Sequence, residues 1–160
     1  MNAAVLTVSD RSFAGEREDL SGAQLVKLLE ADGWTIAAHD VVADEKLAII
    51  KQLISYADEQ SVNLVLTTGG TGAGPRDVTP EATQISIEKP FPGIAEALRA
   101  ESAKNTPYAM ISRGVAGSRG HSLIINFPGN PKAVEQLWPV IAKVVGHACR
   151  LLSGEDDPHT

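Results

Sequence analysis

Short apolar runs of strand length alternate along this chain with segments that carry an apolar stripe at helical spacing, and this alternation leaves few architectures open. Ala3 to Val8 reads as a buried strand, followed by a polar loop from Ser9 to Leu20. Ser21 is placed to cap a helix bearing Leu25, Leu28 and Leu29, which Gly33 ends. Trp34 to Val42 is a second strand, and Asp44 then caps a helix striped by Leu47, Ile50, Ile54 and Ala57. Leu64 to Thr67 is a third strand. Thr79 is the expected cap of a helix with Pro80 at its first position. Pro90, Pro92 and Gly93 break that helix before another from Ile94 to Lys104. Val115 to Arg119 and Leu123 to Phe127 are strands separated by Gly120, and Pro128-Gly129-Asn130-Pro131 is a turn. The last helix carries Val134, Leu137, Trp138, Ile141, Val144 and Val145, with a kink or break expected at Pro139. Strands apolar along their whole length, separated by amphipathic helices, predict an α/β fold: a mostly parallel central sheet with helices on both faces. In such sheets ligands gather at the carboxyl ends of the strands.

The chain has 160 residues, enough for one domain, expected over 1–152 with a disordered acidic tail over 153–160. A formal charge of −6 argues against nucleic acid or an anionic membrane as partner. It leaves room for a small phosphorylated ligand in a locally basic loop. No signal core and no run of membrane-spanning length is visible, and the one cysteine, Cys149, allows no intrachain disulfide; a cytoplasmic setting is expected. Cys149 falls in an apolar helical pattern, as a small buried hydrophobe would. His39, His121, His147 and His159 show no metal-ligand spacing, so zinc is not expected. Trp34 and Trp138 read as core or subunit-contact residues.

The third strand runs straight into Thr68-Gly69-Gly70-Thr71-Gly72-Ala73-Gly74-Pro75-Arg76-Asp77. Glycines let the backbone approach a ligand closely and let successive N–H groups converge on an anion. Thr68 and Thr71 add hydroxyls, the helix at Pro80 adds the positive end of its dipole, and Arg76 adds a planar cation. A flexible connection with glycines at its turns is the plainer alternative. No lysine lies between Gly69 and Pro80, so this is not a P-loop, and Pro75 occupies the third glycine position of a dinucleotide fingerprint. Asp77 closes the loop and Asp44 follows the second strand. Singly they read as an ion pair with Arg76 and a helix cap. Together they are two hard oxygen ligands on neighbouring sheet-end loops, suited to Mg²⁺ shared with nucleotide phosphates.

TTGGTGAGPRDVTPEAT (Thr67 to Thr83) resembles the signature of the molybdopterin adenylyltransferase family of molybdenum-cofactor biosynthesis, which includes the bacterial Mog and MoaB proteins and the matching domain of gephyrin. VSDRSFAGEREDLSG (Val8 to Gly22), VVADE (Val41 to Glu45), SRGVAGSRG (Ser112 to Gly120) and NFPGNPKAV (Asn126 to Val134) are similar to further loops of the same family. The resemblance implies a three-layer α/β sandwich that assembles as a homotrimer. It implies Mg²⁺-dependent transfer of AMP from ATP to the terminal phosphate of molybdopterin, with release of pyrophosphate and handover of the product to a molybdate-inserting protein. Mapped residue by residue, the important aspartates fall on Asp44 and Asp77, the glycine loop on Gly69, Gly70, Thr71 and Gly72, and the Pro-Gly turn on Pro128 and Gly129. Relatives often carry serine where this chain has Asn130.

Asp44 and Asp77 are thus the expected catalytic residues and Mg²⁺ ligands. Thr68, Gly69, Gly70, Thr71, Gly72, Arg76, Pro128 and Gly129 are the expected phosphate and substrate cradle, with Ser9, Asp10, Ser112 and Asn130 as polar contacts. Arg11, Arg76, Arg113, Arg119 and Lys132 are candidate anion partners, about two of which are expected to meet ligand. The competing readings are a non-catalytic molybdopterin-binding paralogue of the same fold and an unrelated nucleotide-handling α/β enzyme.

Overall fold

The computed structural model describes residues 1–155. Six strands form one sheet: β1 (Asn2–Val8), β2 (Thr35–Val42), β3 (Leu64–Thr68), β4 (Lys89–Pro90), β5 (Ala116–Arg119) and β6 (Ser122–Phe127). Their spatial order is β2-β1-β3-β6-β5-β4. β2, β1, β3 and β6 are mutually parallel, while β5 and β4 complete the sheet at one edge through antiparallel pairings. The helices are α1 (Asp10–Phe13), α2 (Leu20–Ala31), α3 (Lys46–Ile54), α4 (Thr79–Ser86), α5 (Pro92–Ala103) and α6 (Pro131–Leu152), with a π-helical turn at Ser55–Glu59 and a 3₁₀ turn at Pro107–Ile111.

Every residue of β3 and β6 is buried. The alternation within β1 shows why both faces must be covered. Ala3 and Val5 pack with Leu25, Leu29, Trp138 and Ile141 of α2 and α6. Ala4 and Leu6 pack on the opposite face with Ile49, Leu53 and Tyr56. Side chains that alternate between two apolar layers leave no face for water, which is the condition for a three-layer sandwich. The expected fold is therefore the observed one.

Several local expectations are corrected. The segment after β1 is not all loop: Ser9 caps the one-turn helix α1, its hydroxyl accepting the Ser12 N–H at 3.2 Å. Asp19, not Ser21, caps α2, accepting the Gly22 N–H at 2.8 Å. Asp44 does not cap α3, whose N-cap is Glu45 with no side-chain hydrogen bond. The Thr79 hydroxyl donates to the Gly69 carbonyl at 2.9 Å rather than capping α4. Lys89–Pro90 adds a short edge strand that two prolines nearby concealed; an edge position tolerates a proline because it needs no N–H there. Pro139 does not break α6, which runs through it over a total of 22 residues. Trp138 and Ile141 beside it are buried, so packing holds the helix where the backbone lacks a donor.

Cys149 and both tryptophans are buried as expected, and burial pushes the Cys149 thiol up to about 12. The first residues of the expected tail close α6: Ser153 N–H bonds the Cys149 carbonyl at 3.0 Å and Glu155 N–H bonds the Arg150 carbonyl at 3.1 Å. Residues 156–160 lie outside the described residues. Among the described residues no helix is long and apolar enough to cross a membrane.

Leu66 lies fully buried at the centre of β3. Leu66→Ala should lower unfolding free energy by about 2–5 kcal/mol in urea titration, with an unchanged denaturant slope.

Candidate functional site

The strand order changes direction between β1 and β3. From β1 the chain moves outward to β2, then returns to lay β3 on the other side. Register places Thr7 opposite Thr68 and Val8 opposite Val42, and Thr68 opposite Phe127. Four parallel strands thus end level, and their following loops, starting at Ser9, Ala43, Gly69 and Pro128, meet over one crevice. This is the position at which open α/β sheets bind ligands.

The glycine loop enters that crevice under tight constraint. Gly69 has φ +98°, and a Cβ there would stand 2.3 Å from the Val8 carbonyl oxygen. Gly70 has φ +64°, and a Cβ there would stand 2.3 Å from the Thr79 hydroxyl and 3.1 Å from an Asp44 carboxylate oxygen. Both conformation and space therefore demand glycine. The loop is also tied down from outside. Gly69 N–H reaches the Phe127 carbonyl at 3.2 Å, Thr79 N–H reaches the Gly70 carbonyl at 3.1 Å, and the Thr68 hydroxyl donates to the Pro128 carbonyl at 2.8 Å. Arg113 staples its far half: Nε donates to the Gly72 carbonyl at 2.8 Å, a terminal nitrogen donates to the Asp77 carbonyl at 2.7 Å, and the guanidinium pairs with Glu81. The loop is thus a held surface and not a flexible connection.

Asp44 and Asp77 are brought to one cavity. Asp44 is locked by a reciprocal pair: its carboxylate accepts the Asp10 N–H at 2.7 Å, and its own N–H donates to the Asp10 carboxylate at 2.9 Å. Asp77 accepts the Gly74 N–H at 2.8 Å and is not paired with Arg76. Arg76 instead forks onto Asp10, at 3.0 and 2.9 Å, and pairs with Glu45 at 2.9 Å. That fork and the Asp44 N–H hold the Asp10 carboxyl below its usual range. Burial lifts the Asp44 carboxyl above the usual range, and the neighbouring charges of Asp10 and Asp77 add to the lift, against the Asp10 N–H and Arg76. Carboxylates crowded in this way are the donor set that a hard divalent cation stabilises. No group of three or more acidic, histidine or cysteine side chains among the described residues forms a complete metal cage. Two carboxylates leave coordination positions for phosphate oxygens and water, which is how Mg²⁺ is ordinarily held beside nucleotides.

Two cavities flank the glycine loop. The first, about 210 Å³, is polar; Ser9, Asp44, Thr68, Gly69, Gly70, Asp77 and Gly129 line it. The second, about 290 Å³, has Thr71, Gly72, Ser112, Pro128 and Asn130 on the loop side and Ala95, Leu98, Tyr108, Ala109 and Ile111 opposite. Asn126 at its floor donates to Thr67 and Thr83, both at 2.9 Å, joining β3, β6 and α4 through a satisfied buried network. Asn130 caps α6, its side chain accepting the Lys132 N–H at 3.0 Å.

Twelve of the expected site residues thus line one cavity or the other, while Asp10 and Arg76 form the brace behind Asp44. Of the candidate cations, Arg113 serves the loop backbone. Arg119, beside the start of β6, pairs with Asp58 at 2.6 Å at the opposite end of the sheet. Sequence reasoning passed over Arg17 and Ser21, which line the polar cavity, and Asp19, whose carboxylate receives the Thr7 hydroxyl at 2.6 Å and faces His39 Nε2 at 2.8 Å. The run Arg17-Glu18-Asp19-Leu20-Ser21, polar and just before an amphipathic helix, was the available signal.

The sequence model of a family described as the probable molybdopterin binding domain matches residues 4–147. The molybdopterin adenylyltransferase of Helicobacter pylori is 41% identical over 152 residues, covering 94% of this chain and 86% of that protein. The Drosophila melanogaster molybdenum cofactor synthesis protein cinnamon is also 41% identical, over 95% of this chain, which spans only 25% of its length. Among solved structures, the molybdopterin biosynthesis enzyme MoaB of Thermus thermophilus superposes with a TM-score of 0.90 at 42% identity, covering 96% of this chain and 97% of that one.

Gly69→Ala should destabilise the chain by more than about 2 kcal/mol in urea titration, since left-handed strain and a backbone clash act together. Arg113→Gln should speed amide hydrogen exchange over 71–77 while leaving exchange in β1 and β3 unchanged.

Proposed function

Because the chain belongs to the molybdopterin-binding domain family, and because its carboxylate-bearing polar cavity adjoins a second ring-sized cavity across a rigid glycine loop, we propose that it is a molybdopterin adenylyltransferase. The reaction joins the terminal phosphate of molybdopterin to the AMP portion of ATP. A phosphate oxygen of the pterin forms a bond to the α-phosphorus, the bond from that phosphorus to the bridging oxygen breaks, and pyrophosphate leaves with the electron pair. No proton need move, because the attacking phosphate oxygen is already anionic.

The observation that carries this reading is the placement of Asp44 and Asp77 on the wall shared with the glycine loop. A cavity that only held a pterin would gain nothing from two carboxylates facing phosphates. They would hold Mg²⁺, which when bound neutralises phosphate charge. This chain's own residues then supply positioning. The Gly70, Thr71 and Gly72 N–H groups, unlike that of Gly69, have no partner among the described residues and are left for the phosphates where the two cavities adjoin. Asp10 and Arg76 fix the orientation of Asp44, and Arg113 and Thr79 fix the loop. Fixed dipoles need no rearrangement as charge shifts toward the leaving group, and in such phosphate transfers positioning and electrostatics provide most of the acceleration. Ser112 and Asn130 face the second cavity with polar atoms among apolar walls, as a heterocycle with a polar edge requires. Assembly as a homotrimer, a cytoplasmic setting and handover of the adenylylated pterin to a molybdate-inserting protein belong to the same reading and rest on the family resemblance.

Asp77→Ala should retain the wild-type melting temperature within about 3 °C yet lose roughly a hundredfold or more in adenylylated pterin formed from molybdopterin, ATP and Mg²⁺. Full activity would remove Asp77 from the chemistry. Asp44→Asn should shift the Mg²⁺ concentration for half-maximal rate upward by roughly tenfold, read from a magnesium titration of the same assay.

A further inference from the structure

The polar cavity has a second wall that the aspartates and glycine loop do not explain. It is formed by the segment leading into α2. Ser21, in the first turn of that twelve-residue helix, is 8% exposed and faces the cavity, yet its hydroxyl has no hydrogen-bond partner among the described residues. A buried hydroxyl without a partner is costly to leave unsatisfied and points to a missing ligand atom. Arg17 lines the same wall, exposed, with no ion pair among the described residues, although Arg76, Arg113 and Arg119 are all engaged by carboxylates. The start of α2 adds the positive end of a helix dipole. Two acidic residues, Glu18 and Asp19, also line the cavity: Glu18 is exposed, and Asp19 is already occupied, with Gly22 N–H, the Thr7 hydroxyl and His39 satisfying its two oxygens.

We propose that Arg17, Ser21 and the first turn of α2 form a subsite for the terminal diphosphate of the nucleotide, which becomes the pyrophosphate leaving group. This rests on the adenylyl-transfer reading and extends it. The wall carrying Asp44, Asp77 and Gly70 holds the end where the bond to phosphorus is exchanged. Arg17 and Ser21, lining the same cavity, collect the charge that departs. An arginine without another partner is suited to this, because its planar fork meets two phosphate oxygens at once.

The test is calorimetric titration of the whole chain with inorganic pyrophosphate in MgCl₂, and separately with AMP, for wild type, Arg17→Gln and Ser21→Ala. Arg17→Gln should weaken pyrophosphate binding about tenfold or more and Ser21→Ala about fivefold, with AMP affinity unchanged in both. Arg17 is exposed, so its replacement leaves the core untouched; melting curves check the Ser21 variant. Failure of the wild type to bind pyrophosphate, or pyrophosphate affinity unchanged in both variants, overturns the subsite. Pyrophosphate binding that depends on Arg17 and Ser21, in a protein that forms no adenylylated pterin, upholds the subsite and removes the adenylyl-transfer assignment instead.

Discussion

The contact between Gly69 and the carbonyl of Val8 is where backbone meets backbone at the base of the crevice, and the site is organised around it. Two parallel strands that diverge in chain order leave a gap above their ends. Here the gap is closed with no space for a methyl group. Because that approach requires φ +98° at Gly69 and +64° at Gly70, the loop turns up and over the strand ends instead of continuing the sheet. Thr79 and Thr68 then tie the turned loop to itself and to the Pro128 turn. The two cavities lie on either side of this raised ridge. Moving it by the width of a methyl would alter both at once, so the two cavities have a single structural cause.

Charge sets the second constraint. The protein is net negative and its proposed substrates are both polyanions. Compensation cannot come from a general field and must be local. Most of the arginines near the loop are committed to the protein itself: Arg76 braces Asp10 and Glu45, and Arg113 holds the loop backbone and Glu81. What remains to face the phosphates is backbone N–H groups, helix ends, the cation that Asp44 and Asp77 would hold, and Arg17. Rigid neutral donors carry no charge to be desolvated before ligand arrives, whereas several free arginines packed around an empty cavity would repel one another. Using cations as internal staples and amides as the cradle resolves that conflict.

The sheet was legible from sequence because strands buried on both faces carry continuous apolar runs, and β1, β3 and β6 do, with Ala3 to Leu6, Leu64 to Leu66 and Leu123 to Ile125. The glycine loop was legible because backbone strain restricts residue choice so sharply. What escaped was set mostly by which of several possible partners the folded chain brings together. Asp44 follows a strand and precedes a helix, so capping was the local reading; its actual partner is Asp10, 34 residues away. Ser21 and Thr79 looked like caps for the same reason, and each was displaced: Asp19 took one position, and the Gly69 carbonyl claimed the other hydroxyl. Pro139 looked like a break because local rules count the missing donor and not the buried Trp138 beside it. Charged residues were the hardest. Arg76, Arg113, Arg119 and Arg17 are indistinguishable by type, and only the fold decides which are paired and which are left facing a cavity.

The buried network around Asn126 shows how the ridge is kept in place without rigidifying everything beside it. Its amide donates to Thr67 on β3 and Thr83 on α4, its carbonyl accepts Val115 N–H at 3.2 Å, and the Thr83 hydroxyl donates onward to the Thr79 carbonyl at 2.8 Å. Thr79 in turn holds Gly69. The chain of bonds therefore runs from the floor of the second cavity through α4 to the glycine loop, all of it satisfied and most of it buried, where directional bonds specify position best. The opposite rim has no such network among the described residues. Tyr108, Met110 and Ile111 stand exposed on the 3₁₀ turn, anchored chiefly by the buried Ala109 and by Thr106. The second cavity thus has a floor held by a hydrogen-bond network on one side and an exposed apolar rim on the other, the pairing of surfaces that the proposed reactant, a phosphate-bearing heterocycle, would need.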